Sequence, residues 1–449
     1  MVQNNYVIKK SDVLVGSSFL KKRDDNSNRV EYMIQNIKHN KAYNFYQKKN
    51  SDEKILIKKI TNDYLNYRKN WNEQPNKIIK DNIKTSKFND KKIIPLCLDI
   101  ETAAICDLAC PFCFREFTAT PDKIIDENIC YDLIDQAAKL KIPSIKFNWR
   151  GEPLLHPKLP EFINYAKKKG ILETIINTNA TQLKGGLAKE LIKSGLDFII
   201  YSFDGGSKET YEKMRPGRFK PNKFEDVYNN IKNFKLLKDK FNSRFPYTKI
   251  QMILMKETFN EKQEFFDNFN EYVDDVSLSQ YTERGAKISD LDENSLSQYH
   301  HALALHNLPI GTPYLRDAYG NIKIATGRKP CEQPFQRLLV TYEGRVAMCC
   351  FDWGATYPVG YTSSKAFDNL KDYTSVIKKA KDNKKGFELL SAIKMPYEFN
   401  SPEKKTSTLN EIWNGKEINK VREKHFENKG EEINICKNCS FKDVYEWLE

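Results

Sequence analysis

From Ile93 onward the chain alternates short apolar runs with amphipathic stretches of helical period. The runs at 93–102, 143–150, 173–179, 197–204, 248–255 and 274–281 read as strands. Between them lie segments such as 127–141, where Ile129, Leu133, Ile134, Ala137 and Ala138 share one face, as in a helix packed on a core. Strand, helix, strand, helix is the signature of a parallel α/β array. Both ends of the chain depart from it. Residues 1–92 mix apolar patches such as Ile34 and Ile37 with Lys/Asn-rich stretches of no clean period, and only 64–71 reads as a helix able to lie against the neighbouring domain. Residues 282–330 are weakly patterned and read as a connection. Beyond it, 338–341 and 346–349 flank Glu343 and Gly344 as a hairpin. Thr408-Leu409-Asn410-Glu411 looks like a capping box opening a helix that carries Ile412, Trp413, Ile418 and Val421.

The 449 residues exceed one ordinary core, so two domains and an extension are expected. No apolar run approaches the ~20 residues needed to cross a bilayer. Met1–Tyr6 is polar, without the basic, apolar, small-residue order of a secretion signal, so the expected setting is the cytoplasm. Ten Cys in a reducing compartment are metal ligands or free thiols rather than disulfides. The net charge of +13 is mostly Lys scattered among Asn and Ile, with no Arg-rich tract. That pattern points away from nucleic acid and is compatible with a phosphorylated or carboxylated substrate.

Candidate chemistry sharpens this picture. Directly after the first strand, Cys106-Asp107-Leu108-Ala109-Cys110-Pro111-Phe112-Cys113 sets three thiols at C-x3-C-x2-C spacing. A 4Fe-4S cluster normally takes four Cys thiolates, so three would leave one iron open to a substrate or cofactor. A structural zinc or a disulfide knot is the rival reading. The spacing after a strand resembles the radical S-adenosylmethionine (SAM) superfamily. That resemblance implies a partial (β/α)6 TIM-type barrel, with the site at the C-terminal strand ends. It also implies SAM chelating the open iron and its reductive cleavage to methionine and a 5′-deoxyadenosyl radical.

Further motifs come in chain order. Trp149-Arg150-Gly151-Glu152-Pro153 resembles the family's Gly-Gly-Glu-Pro, whose backbone and Glu receive the SAM amino group; Arg150 stands in place of the first Gly and adds a charge beside the cofactor. Asn177-Thr178-Asn179-Ala180, and Ser202-Phe203-Asp204-Gly205 followed by Tyr211 and Arg215, resemble elements that contact the methionyl and ribose parts of SAM. Phe112 matches a position that is aromatic in many members and lies beside adenine. The resemblance thus assigns Phe112, Gly151, Glu152, Asn179, Ser202, Asp204 and Arg215 to cofactor binding.

Near the other end, Cys331 is followed by twelve residues, Gly344, four residues and Cys349, and then by Cys436 and Cys439. This resembles the SPASM/Twitch extension of radical SAM enzymes, and the four thiols would suffice for a second 4Fe-4S cluster. A structural zinc on the same four is the rival. Cys97 and Cys350 find no assignment, while Cys130 shares an apolar helix face with Leu133 and Ile134 and reads as core. His300, His301 and His306 lie in a polar helical segment and read as surface; for His156, just after the Gly-Glu-Pro loop, a surface or capping role is the favoured reading and orienting that loop is the alternative.

Strand side chains alternate between faces, and in a barrel the polar parity faces the lumen. That parity selects Asp99, Glu101, Lys146, Asn148, Asn177 and Gln251. Glu101 and Lys146 from this set, and Arg150 from its place in the Gly-Gly-Glu-Pro element, are the candidates for substrate contact or catalysis, Glu101 foremost. The alternative is that Lys146 pairs with Asp99 or Glu101 to hold the barrel together. The expected organisation is an extension of unknown role (1–92), a radical SAM partial barrel (93–290), a connection (291–330) and a small α+β SPASM/Twitch-like iron–sulfur domain (331–449). The expected function is hydrogen abstraction from a polar substrate, in the oxidation, epimerisation or dehydration of a carbohydrate or nucleotide sugar. Flavodoxin or ferredoxin would be the electron donor, and no membrane partner is expected. The alternatives are maturation of a ribosomal peptide and a non-catalytic iron–sulfur electron-transfer or binding protein.

Overall fold

The computed structural model describes residues 53–85, 93–117, 120–281, 293–316, 321–368, 400–437, 439, 441 and 444–448. The patches at Ile34 and Ile37 lie outside them. Six strands, β1 (Cys97–Ile100), β2 (Ser144–Lys146), β3 (Glu173–Thr178), β4 (Phe198–Ser202), β5 (Tyr247–Leu254) and β6 (Asp275–Gln280), fall within or beside the six expected runs. Each pairs in parallel with the next. On one face, Leu98, Ile100, Ile145, Phe147, Ile176, Ile199 and Ile250 pack in a common core with helix residues such as Leu133, Ile134 and Phe162. The other parity faces the concave side, because a parallel sheet turns one face to its helices and must close the other on itself.

The sheet does not stop at β1. Two short strands, β7 (Tyr314–Arg316) and β8 (Ile322–Arg328), precede β9 (Arg337–Val340), β10 (Arg345–Ala347), β11 (Pro358–Tyr361) and β12 (Tyr445–Trp447). The central order is β11-β10-β9-β1-β2-β3-β4-β5-β6. β9 joins β1 in parallel, with Cys97 opposite Arg337 and Asp99 opposite Leu339. The expected hairpin is thus present, and it continues the barrel sheet across the sequence boundary drawn at 331.

Residues 293–330 differ from the irregular connection expected. They form the helix Glu293–Leu305 and the strands β7 and β8, which build a three-stranded antiparallel sheet with β12. The pattern is weak because β8 is only half-covered, leaving few positions that must be apolar. The capping box at Thr408 is present, but its helix ends at Trp413, and a second helix, Lys416–Phe426, carries Ile418 and Val421. Gly415 sits at the break, where a Cβ would approach Glu411 O to 2.7 Å.

The helix Glu53–Thr85 covers the N-terminal ends of the strands. Its Ile60, Tyr64 and Tyr67 pack with Leu96, Ile175 and Phe198. Tyr64 and Tyr67 donate to the Glu173 carboxylate at 2.9 and 3.2 Å, where Ser144 Oγ also donates at 3.0 Å. Three hydroxyl donors satisfy a carboxylate that would otherwise be costly to bury. The helix expected at 64–71 therefore exists, is longer, and closes the floor of the barrel. Among the described residues no helix is long and apolar enough to cross a membrane. None of the ten cysteines takes part in a disulfide.

Candidate functional site

At the C-terminal ends of the strands lies a cavity of about 480 Å³. Cys106, Cys110 and Cys113 all line it. Their loop is pinned from two sides. Ala109 N–H donates to Pro216 O at 2.9 Å and Arg218 N–H to Asp107 O at 2.8 Å. The Asp107 carboxylate accepts from Asn179 Nδ2 (2.8 Å), Thr181 Oγ1 (2.6 Å) and Gln182 Nε2 (2.9 Å). Asp107, passed over in the sequence because it sits between two cysteines, is thus the anchor of the loop. Burial pushes the Cys106 thiol up to about 12, with Glu152 adding to the rise, and pushes Cys110 well above the usual thiol range. A metal would have to displace these protons. Among the described residues no three His, Cys, Asp or Glu stand close enough to share one ion. Three thiols of one loop facing one space fit the ligand set of a three-Cys cluster.

The residues assigned to SAM surround the same cavity: Phe112, Gly151, Glu152, Asn179, Ser202, Asp204 and Arg215 all line it. Gly151 is required by close approach, since a Cβ there would sit 2.3 Å from Ala103 O and Ile105 O. Glu152 N–H in turn donates to Ile105 O at 2.8 Å, locking the Gly-Glu-Pro turn to the strand that leads into the Cys loop. The Glu152 carboxylate accepts from Leu154 N, Thr178 Oγ1 and Asn179 N at 3.0, 2.6 and 2.7 Å. Burial holds it at about 7, well above the usual carboxylate range. Asp204 accepts from Arg215 Nε at 2.8 Å and from Ile253 N at 2.6 Å. Beside them Phe112 packs with Met214, Met255, Ile253 and Tyr281 in an apolar slot. Tyr211 does not reach the cavity; it stacks on Phe203 at 3.9 Å in the core. His156, buried and accepting from Lys158 N–H at 3.1 Å while bonded to Ile125 O at 3.0 Å, does brace the loop that follows Glu152.

Two of the substrate candidates are reassigned by their contacts. Glu101 is fully buried and is not among the cavity-lining residues. Both its oxygens accept from Arg150, at 2.7 Å from Nε and 2.9 Å from Nη2, and Tyr342 N–H donates to it at 3.2 Å. Arg150 adopts no left-handed backbone conformation, so the missing Gly costs nothing locally. Its charge is answered by Glu101, and Nη1 reaches Trp353 O at 3.4 Å. Trp149 Nε1 donates to Cys350 O at 3.1 Å. The second strand end is thereby fastened to the segment behind the C-terminal hairpin. Of the predicted lumen set, Asp99, Lys146, Asn148, Asn177 and Gln251 line the cavity. Arg337, Cys350 and Trp353, which join them, were not foreseen, because they reach the lumen only through the pairing of β9 with β1.

The second set of thiols also converges. Cys331, Cys349, Cys436 and Cys439 line one small cavity of about 10 Å³, with Arg328, Met348, Phe351 and His425 among its other walls. His425 was overlooked in the sequence. Its Nδ1 accepts from Cys331 N–H at 3.3 Å, which leaves the proton on Nε2, 3.6 Å from Cys436 Sγ. Burial and the nearby Arg328 push His425 down to about 4, so the ring is neutral. The space admits about one water. Either a cluster or a single ion would have to part the thiols.

Comparison with known proteins places these observations. Residues 100–268 match the sequence profile of the Radical SAM superfamily. The tungsten-containing aldehyde ferredoxin oxidoreductase cofactor-modifying protein of Pyrococcus furiosus is 31% identical over 108 residues, 24% of this chain and 30% of that protein. The GTP 3′,8-cyclase of Chlorobaculum tepidum is 33% identical over 122 residues, 27% of this chain and 36% of that protein. The chain spans about a third of the length of these curated relatives. Among solved structures, BtrN in complex with AdoMet and 2-DOIA aligns over 79% of this chain and 96% of its own, at 16% identity and a TM-score of 0.41.

Proposed function

The chain belongs to the radical SAM superfamily through residues 100–268, and from that premise we propose that it is an enzyme taking hydrogen from a polar small molecule held in the barrel lumen. The supporting observation is convergence: three thiols of one loop, the Gly-Glu-Pro turn, Asn179, Ser202 and the Asp204–Arg215 pair all open on one cavity. Cys106, Cys110 and Cys113 would hold a 4Fe-4S cluster, with SAM beside Glu152, Asn179, Ser202 and Asp204. Bound there, cluster and SAM supply hydrogen abstraction from unactivated C–H bonds. The apolar stretch of cavity wall formed by Phe112, Ile253 and Tyr281 suits a flat heterocycle. Asn148, Asn177, Gln251 and Ser279 offer amide and hydroxyl groups to a substrate rich in hydroxyls, which favours a carbohydrate or nucleotide sugar.

We assign the four C-terminal thiols to a second 4Fe-4S cluster, which would take up the second electron of an oxidation. The reading requires a one-electron donor of flavodoxin or ferredoxin type. Ten cysteines outside any disulfide favour a cytoplasmic setting. The test is anaerobic reconstitution with iron and sulfide, reduction, and chromatography for 5′-deoxyadenosine and methionine formed from SAM. Absence of both products from protein carrying its full iron would sink the proposal.

A further inference from the structure

The ion pairs of the cavity wall leave one cation over, since the Glu152 carboxylate is held by Leu154 N, Thr178 Oγ1 and Asn179 N rather than by a cation. Four cations line the cavity, Lys146, Arg150, Arg215 and Arg337. Three are answered by carboxylates: Arg150 by Glu101, Arg215 by Asp204, and Arg337 by Asp99 with Nη1 to Oδ2 at 3.0 Å. Lys146 is left over. It stands level with Asp99 across the β1–β2 ladder, the natural partner for a structural ion pair. Yet Asp99 has turned to Arg337, and Glu101 is held by Arg150. Among the described residues Lys146 therefore has neither a hydrogen bond nor an ion pair, although its side chain is partly buried. Burial pulls its ammonium below the usual lysine range, with Asp99 opposing.

From Lys146, Arg337 and Asp99 we infer that the lumen holds a carboxylate of the substrate, seated on the Lys146 ammonium with the Arg337 guanidinium beside it. The count selects a monoanion, of which a carboxylate is the class proposed. Two positive charges against one negative leave a single positive charge, which one carboxylate neutralises and a phosphate dianion would overshoot. A neutral sugar would leave the ammonium without a counter-charge. The position is separate from the residues assigned to SAM, because Lys146 lies within β2 whereas Gly151 and Glu152 lie in the loop beyond it. The inference rests on the reading of this cavity as a substrate site, and it narrows the carbohydrate of that reading to one that carries a carboxylate.

The probe is ¹³C-labelled acetate, its binding to the full-length reconstituted protein followed by saturation-transfer NMR before and after SAM is added. Wild type and Lys146→Arg are expected to bind acetate within threefold of each other, and Lys146→Met at least tenfold more weakly. Urea midpoints identify any variant that misfolds, in which case Lys146→Gln takes its place. Equal affinity in wild type and the Met or Gln variant overturns the inference. So does displacement of acetate by SAM alone, which would make this the cofactor's own carboxylate site. Inorganic phosphate that displaces acetate at a tenfold lower concentration overturns the carboxylate class. The measurement needs no turnover. Wild type that binds acetate through Lys146 without cleaving SAM would refute the proposed function and leave this inference standing; wild type that cleaves SAM but binds acetate independently of Lys146 does the reverse.

Discussion

The thiols of the 106–113 loop look onto about 480 Å³ of space walled by amides and charges, whereas the four C-terminal thiols enclose about 10 Å³ between residues such as Met348, Phe351 and Phe441. The first space is in the range of a small-molecule pocket. The second excludes any organic ligand. A group bound in the open site can exchange ligands, and one bound in the closed site can only be held or pass electrons. The two are separated by a single stretch of chain: Cys349 faces the closed cavity, its neighbour Cys350 lines the open one, and Phe351 touches both. The wall between the open and the closed cavity is therefore a few consecutive residues of one segment.

Removing each thiol set in turn breaks the comparison most severely. Wild type reconstituted under anaerobic conditions is expected to carry about eight iron and eight sulfide per chain, four for each set. Replacing Cys106, Cys110 and Cys113 together with Ala is expected to halve both and abolish reductive cleavage of SAM. A triple variant that still releases 5′-deoxyadenosine would show that the open site is elsewhere. The paired change Cys436→Ala with Cys439→Ala is expected to remove the other half of the iron. If metal analysis of wild type instead returns one zinc per chain, the closed site is structural and the electron-relay role falls.

How much of this was legible in the chain depended on distance along it. Cys106, Cys110 and Cys113, the Gly-Glu-Pro turn and the strand parity that selected Asp99, Lys146 and Asn177 are local patterns, and the fold preserves them. Glu101 had the right parity but does not line the cavity, because its partners Arg150 and Tyr342 come from two other loops and hold it. Arg337 opens an apolar strand and carries no sign of the lumen; only the parallel ladder from β9 to β1 brings it beside Asp99. The floor helix was half-hidden for a related reason. Its contacts are Tyr64, Tyr67 and Trp71, aromatic residues dispersed among Lys and Asn rather than a continuous apolar stripe.

The seam between the two regions offers a sharper, smaller test. Glu101 joins Arg150 of the barrel to Tyr342 N–H of the β9–β10 hairpin, and both members of the ion pair are fully buried. Glu101→Gln would leave the guanidinium without a counter-charge, a loss of about 3–5 kcal/mol. Urea denaturation should show it, and the combined Glu101→Gln, Arg150→Met variant should recover most of it, since removing both partners leaves no orphan charge. A loss below about 1 kcal/mol for Glu101→Gln alone would mean that the pair is not a tie between the regions. Glu101 would then return as a candidate for substrate contact.

The smallest effect should stay within the C-terminal region. Thr408 Oγ1 accepts from Glu411 N–H at 3.2 Å, and Glu411 returns a bond from Thr408 N–H at 2.7 Å. The capped turn also delivers Leu409 N–H to Gln136 Oε1 at 2.7 Å, docking the helix Leu409–Trp413 on the helix Glu127–Lys139. Thr408→Ala removes one half of the box and leaves Glu411 exposed and able to hydrate, so the expected loss is about 1 kcal/mol. Because the cap lies outside both thiol sets, iron content and SAM cleavage are expected to match wild type. A loss above about 2 kcal/mol, accompanied by loss of metal from the closed site alone, would show that this helix sets the spacing of the C-terminal thiols. The closed cavity would then be held open or shut from its periphery rather than by its own walls.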